Sequence, residues 1–294
     1  MNVLVTGANG QLGTEMRNLA ARSEHRFIFS DVNNIPGCET VNLDITNLDA
    51  VRIVARSEKV DIIVNCAAYT NVDKAEDDIA FADLLNHAAP ANLARVAKET
   101  GAVLIHISTD YVFNGRSSVP YREDDPKEPQ GVYGATKLKG EMAVEQSGCR
   151  YMIFRTAWLY SPYGKNFVKT IRRITSENPS IKVVSDQVGT PTYARDLASL
   201  IVRIIDEGMY DRQGIYHFSN EGAISWYDFA KSICSLSGSA CDIVPCHTEE
   251  FPSKAVRPHY SVLDKTLVKE TFGITIPYWA DSLKDCIDRL TSQI

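Results

Sequence analysis

The first thirteen residues constrain this chain more than any other stretch. Asn2 to Val5 is a short, β-branched apolar run, and Gly7, Gly10 and Gly13 follow at three-residue intervals before an amphipathic helical pattern begins. Strand, glycine turn and helix in that order open a βα unit, which points to a layered α/β fold. Each glycine has its own use: Gly7 for the tight turn, Gly10 for close backbone approach, Gly13 for packing the helix on the strand. The free N–H groups and positive dipole end of the next helix then face the space over the turn, which suits a phosphate. An ordinary strand-to-helix turn explains the same glycines, so later segments must decide.

Arg26 to Asp31 reads as a second strand ending in a carboxylate, roughly twenty residues beyond the glycines. In dinucleotide sites a carboxylate there grips the ribose 2'-hydroxyl. It repels a 2'-phosphate, and residues 31–37 contain no Arg or Lys to offset it. NADH is therefore expected to be at least accepted, with a plain turn aspartate as the alternative. A third strand near Val41 to Leu43 leads into Asp44, a candidate acceptor for the adenine amino group, and Ile45. Asp61 to Cys66 is the next buried strand, and the small Ala67 and Ala68 at its end let a flat cofactor lie across the sheet edge. The cofactor set expected is Gly7, Asn9, Gly10, Gln11, Leu12, Gly13, Asp31, Asp44, Ile45, Ala67, Ala68 and Tyr69, joined by Tyr133 and Lys137.

Strands near 2–6, 26–30, 61–66, 102–108 and 151–156 alternate with helical stretches. The expected fold class is α/β: a Rossmann-type, doubly wound parallel sheet with a smaller α/β substrate domain. Turn-rich segments after Tyr160 place the boundaries at 1–160 plus about 194–218 for the cofactor half, and about 161–193 plus 219–294 for the substrate half. The acidic run from Asp73 to Asp78 reads as a solvated helix start. A net charge of −6 with no basic patch argues against nucleic-acid binding. Seven scattered cysteines make no disulfide framework and read as reduced, mostly buried thiols. Cys241, Cys246 and His247 lack the spacing of a zinc site, so no metal site is expected. No signal peptide or spanning apolar run appears, which suggests a cytoplasmic protein.

Tyr133 and Lys137 share one helix face four residues apart. A phenol with a pKa near ~10 is a poor acid at neutral pH, and an adjacent ammonium favours its ionised form, making a usable proton donor. Alone the pair also fits a solvated helix. Ala102 to Thr109 is a strand ending in two hydroxyls, Ser108 and Thr109, which alternate faces so that only one points into a site. Such a hydroxyl hydrogen-bonds a substrate carbonyl as charge develops on it, while a strand-end cap is the plainer use for Ser108.

Together, Thr6-Gly-x-x-Gly-x-x-Gly13, a hydroxyl at a strand end and Tyr133-x-x-x-Lys137 resemble an extended short-chain dehydrogenase/reductase. Gly10-Gln-Leu-Gly13, the run Asn65 to Glu76, Ser108-Thr-Asp-Tyr-Val-Phe113, Phe154 to Tyr160, Ser185-Asp-Gln-Val-Gly-Thr-Pro-Thr192 and Arg257-Pro258 narrow this. They resemble the dTDP-4-dehydrorhamnose reductase family nearly end to end. The resemblance implies NADH- or NADPH-dependent reduction of the C4 ketone of dTDP-4-dehydro-β-L-rhamnose, with Tyr133, Lys137 and Thr109 as the catalytic set. It assigns sugar-nucleotide contacts to Thr109, Asp110, Tyr111, Trp158, Asn166, Gln187 and Arg257, although Trp158 also reads as a core tryptophan. Some members of the family dimerise through a magnesium site built from surface glutamates. Glu15 fits one position, but Arg195 stands where a second carboxylate belongs, so a monomer or weak dimer without bridging metal is expected. The rival readings are another nucleotide-sugar reductase or epimerase, for which no second acid/base is evident, and a non-catalytic NADP-binding regulator like the β subunit of methionine adenosyltransferase.

Overall fold

The structure is a computed structural model that describes residues 1–292. Its first half alternates as the sequence pattern predicts. Strands β1 (Asn2–Thr6), β2 (Arg26–Asp31), β3 (Val41–Asn42), β4 (Ile62–Asn65), β5 (Val103–Thr109) and β6 (Arg150–Thr156) are separated by helices, except that a loop joins β2 to β3. These are α1 (Gln11–Ala20), α2 (Leu48–Ser57), α3 (Val72–Ala75), α4 (Ile79–Asp83), α5 (Ala89–Thr100) and α6 (Val132–Ser147). A π-helical turn over Leu84–Ala88 joins α4 to α5. The remainder runs β7 (Leu159–Tyr160), α7 (Phe167–Glu177), β8 (Ser180–Val184), β9 (Val188–Gly189), β10 (Thr192–Tyr193), α8 (Ala194–Asp206) and β11 (Gly214–His217). It ends with β12 (Ile224–Ser225), α9 (Trp226–Leu236), β13 (Asp242–Cys246), α10 (Thr266–Phe272) and α11 (Trp279–Ser292).

Seven strands form one sheet in the order β11-β6-β5-β4-β1-β2-β3, parallel throughout. The central strands are apolar on both faces, as burial between two helix layers requires. One face packs Val3, Val5, Ile105 and Phe154 against Leu197 and Ile201 of α8. The other packs Leu4, Ile63 and Leu104 against Leu93 and Ala97 of α5. The strand order reverses between β1 and β4, which leaves a crevice beyond their carboxyl ends. Three two-stranded sheets, β7–β10, β9–β12 and β8–β13, lie outside the main sheet. Phe229 of α9, Val168 of α7 and Leu283 of α11 belong to a separate core cluster with Tyr160 and Tyr193.

The acidic run 73–78 differs from the solvated face read in the sequence. The helix breaks after Ala75, and the carboxylates anchor other segments: Glu76 accepts from the Val132 amide at 2.8 Å, Asp73 from Arg257 at 2.5 Å, and Asp77 pairs with Lys254. Backbone and cationic donors from distant chain segments find these acceptors only after folding. Among the described residues, no helix is long and apolar enough to cross a membrane.

Candidate active site

The crevice holds a cleft of about 680 Å³ whose lining includes Gly7, Gly10, Asp31, Asp44, Ala67, Thr109, Tyr133, Lys137, Trp158 and Arg257. At its floor Gly7 adopts φ +63°, and a Cβ there would stand 2.6 Å from the Ala67 nitrogen. At Gly13 a Cβ would meet Ala8 Cα and the Gly7 carbonyl at 2.5 Å, so only glycine lets α1 lie this close to the turn. Gly10 is the N-cap of α1 and supplies no side-chain acceptor, which leaves the first N–H groups of the helix for a ligand. Asp31 accepts from the Asn9 amide (3.1 Å) and the Asn33 amide (3.0 Å). Asp44 is engaged by Thr46 through an Asx turn but still lines the cleft beside Ile45.

At the other end, Thr109 closes β5, donating to Asp110 at 2.9 Å and accepting from the Tyr111 amide at 3.2 Å. Ser108 faces away from Thr109, and its hydroxyl donates to Glu141 of α6 instead of capping the strand. The Tyr133 ring meets Tyr111 edge-on, centroids 5.4 Å apart. Burial pushes the Tyr133 phenol above its ordinary value, partly offset by the Thr109 hydroxyl. Lys137 is buried, and its Nζ donates to the Ile107 carbonyl at 2.6 Å. Burial lowers the Lys137 ammonium to about 8. The ammonium thus has an acceptor on the strand, and at Tyr133 burial outweighs the lowering contacts. A buried ammonium needs an acceptor, and the β5 carbonyl is within reach. Asp110 is buried with one oxygen unpartnered, and desolvation raises its carboxyl to about 6.

Trp158 has φ +49°, a backbone state that non-glycine residues seldom adopt. Its indole stacks on Trp226, with centroids 3.5 Å apart and planes 13° from parallel, and both rings line the cleft. Arg257 lines it too, held by Asp73 and the Tyr111 hydroxyl (3.2 Å).

A family model described as RmlD substrate binding domain matches residues 1–292. The chain belongs to the dTDP-4-dehydrorhamnose reductase family. A reductase of that name from Burkholderia thailandensis is 40% identical over 308 residues, covering 100% of both chains. A crystal structure of a dTDP-4-dehydrorhamnose reductase from Clostridium acetobutylicum superposes with TM-score 0.93 at 43% identity, covering 99% of this chain and 100% of that one. The Bacillus anthracis enzyme in complex with NADP gives TM-score 0.89 at 37% identity, covering 98% and 99%.

Five residues of the expected reductase site lie off the cleft lining. Asn9 turns its amide to Asp31, and Gly13, in the first turn of α1, packs against Ala8 and the Gly7 carbonyl. Tyr69 turns its hydroxyl towards Asp78, with its ring against Phe81. Asn166 caps α7 and donates to Gln11 at 2.9 Å and the Ser161 carbonyl at 2.8 Å. Gln187 is buried and donates to Thr248 at 3.1 Å. In each the local hydrogen bonds or packing account for the residue without a ligand. Sequence reasoning missed Trp226, Lys165 and Thr156, which line the cleft, and Arg17. The Arg17 guanidinium stacks on Phe29, donates to Thr40 at 3.2 Å and lies 3.4 Å from Asn9 Oδ1. It also donates to the Glu39 carbonyl at 2.7 Å and lies off the cleft lining. Glu15 is fully buried and paired with Arg289 (2.8 Å) and Arg195 (3.5 Å). Among the described residues no group of three or more His, Cys, Asp or Glu is arranged to hold a metal.

Proposed function

We propose that this oxidoreductase reduces the C4 ketone of dTDP-4-dehydro-β-L-rhamnose to give dTDP-β-L-rhamnose, with residues 1–160 and about 194–218 holding the cofactor and the rest enclosing the sugar nucleotide. The observation that carries the reading is the convergence of Thr109, Tyr133 and Lys137 on one cleft whose opposite end is the glycine turn. A bound reduced nicotinamide supplies hydride to the ketone carbon. Thr109 and Tyr133 donate hydrogen bonds to the ketone oxygen, and Tyr133, protonated because it is buried, delivers the proton. Lys137 orients the nicotinamide ribose. Trp158, stiffened by Trp226, forms the wall against the sugar, with Asp110 and Tyr111 beside it. Arg257 and Lys165, two cations in the cleft lining, bind the diphosphate on this reading.

Both cofactors are accepted on this reading: Asp31 serves the ribose hydroxyls of NADH, and Arg17 serves the 2'-phosphate of NADPH. The working state is a cytoplasmic monomer or weak dimer with no bridging metal. The deciding experiment generates the keto-sugar nucleotide with the preceding pathway enzymes and follows loss of reduced-nicotinamide absorbance. No oxidation of either cofactor would end the reading.

A further inference from the structure

A row of polar side chains crosses the otherwise apolar sheet beneath α6. Thr6 on β1 donates to Asn65 on β4 (2.7 Å), and Asn65 Nδ2 lies 3.0 Å from His106 Nδ1 on β5. Two residues further, on the same strand face, Ser108 donates to Glu141. Glu141 also accepts from Arg155 on β6, Nε at 3.0 Å and Nη2 at 2.7 Å. Arg155 Nη1 donates to the Glu123 carbonyl at 3.0 Å and lies 3.4 Å from His217 Nε2 on β11. The register puts Thr6 opposite Asn65, Asn65 opposite His106, Ser108 opposite Arg155 and Arg155 opposite His217. Every member of the row is at most 3% exposed.

Lys137 sits over the middle of this row, because Ile107, whose carbonyl it bonds, lies between His106 and Ser108. Tyr133, Lys137 and Glu141 follow at four-residue steps along one stripe of α6. A buried ion pair is no stability gain in itself, since desolvation offsets the attraction. Its position under the reacting pair calls for another account.

We propose that Glu141 is a positioning residue for Tyr133 and Lys137: clamped by Ser108 and Arg155, its carboxylate fixes α6 against the strand ending in Thr109 and holds the Lys137 ammonium charged. The inference rests on the reductase reading for its catalytic meaning, but not for its geometry. The charged and titratable groups facing this stretch are His106 on β5, Arg155 on β6, His217 on β11 with Glu123 4.0 Å from its Nδ1, and Asp110 and Tyr111 past β5, besides Tyr133 itself. Asp83, His87 and Lys139 pair with one another on the outer side, where they are partly exposed. Burial holds His106 and His217 neutral. It lowers Lys137 as well, and Glu141 opposes that fall.

Glu141→Gln keeps the side-chain shape but removes the charge and leaves the Arg155 guanidinium uncompensated. We expect the alkaline limb of kcat to move to lower pH by about half a unit or more, with kcat falling and KM for the sugar nucleotide little changed. A folded Glu141→Gln variant with an unmoved limb overturns the proposal. If that variant fails to fold, Glu141→Gln/Arg155→Met removes the pair as a unit, and a smaller shift in the same direction is expected of it, because the Arg155 charge leaves with the carboxylate; an unmoved limb in the double variant overturns the proposal as well. Independently of turnover, carbon-13 lysine labelling follows the Lys137 titration directly, the resonance being assigned by its loss in Lys137→Arg. A lower midpoint in the Glu141 variant supports the proposal and an equal midpoint overturns it. A wild-type protein that oxidises no cofactor would instead sink the reductase reading and leave this titration as the test.

Discussion

Replacing Gly7 by alanine tests the packing of the cofactor turn against β4. Two costs add at this position. The left-handed φ of +63° costs a non-glycine residue about 1–2 kcal/mol. The new Cβ would stand 2.6 Å from the Ala67 nitrogen and 2.7 Å from its Cα, backbone that moves only with β4, and such overpacking costs about 1–3 kcal/mol. The sum is about 2–5 kcal/mol. At ~2.1 cal/mol/K per residue, a chain of 294 residues unfolds with an entropy of about 0.6 kcal/mol/K, so Tm falls by about 3–8 °C. Gly37→Ala is the control, since Gly37 has φ +80° but nothing within 4 Å of a Cβ. It carries the strain alone and should lose about 2–3 °C. Differential scanning calorimetry compares the two, and titration calorimetry with each reduced cofactor should show weaker binding to Gly7→Ala only, because Ala67 lines the cleft. Equal melting of the two variants would refute the claim that collision with β4 makes Gly7 necessary.

Four further tests address the chemistry. Tyr133→Phe should cut kcat by about 10²-fold or more while cofactor binding, read by nicotinamide fluorescence, survives. Arg17→Ala should lower kcat/KM with NADPH by about 10- to 150-fold and leave NADH nearly unchanged, since one charge-assisted contact is worth about 1.5–3 kcal/mol; equal losses with both cofactors would remove Arg17 from the 2'-phosphate site. Asp110 titrates at about 6 in the fold against 3.8 for the free group, so folding binds an extra proton and the burial penalty grows as pH rises between those values. Asp110→Asn should therefore gain stability relative to the parent as pH rises from 4 to 6, measured by urea unfolding. Magnesium and a chelator should each leave the molecular mass by light scattering unchanged, because Arg195 and Arg289 already neutralise Glu15.

What the sequence disclosed and what it hid follow a physical division. The glycine turn, Asp31 and the alternating strands are local signals, readable because each needs only its neighbours in the chain. Tyr133 and Lys137 were readable for the same reason, four residues apart on one helix. Arg17 escaped because folding brings it, from a helix earlier in the chain, onto Phe29, Glu39 and Thr40. Trp226 escaped because nothing near Ile224 to Ser225 marks it as the partner of Trp158, whose left-handed backbone is also invisible in the sequence. Gln187 stands in a matching block and Asn166 a few residues past another, yet their side chains are spent on bonding Thr248 and capping α7. The acidic run 73–78 looked solvated because its partners, Val132, Lys254 and Arg257, lie more than fifty residues away.

The polar seam through the sheet has a consequence for how the strands find their alignment. Apolar side chains tolerate sliding: a strand displaced by two residues still presents the same face, and valine meets isoleucine as readily as leucine. Hydrogen-bond donors and acceptors do not. Sliding β5 by two residues against β4 or β6 would break the Asn65–His106 contact or the Ser108–Glu141 hydrogen bond in the dry interior, each at a cost of about 1–3 kcal/mol. The seam therefore works as a keyed joint: misaligned sheets stay wet and incomplete, and only the alignment that brings Thr109 level with the catalytic helix can close.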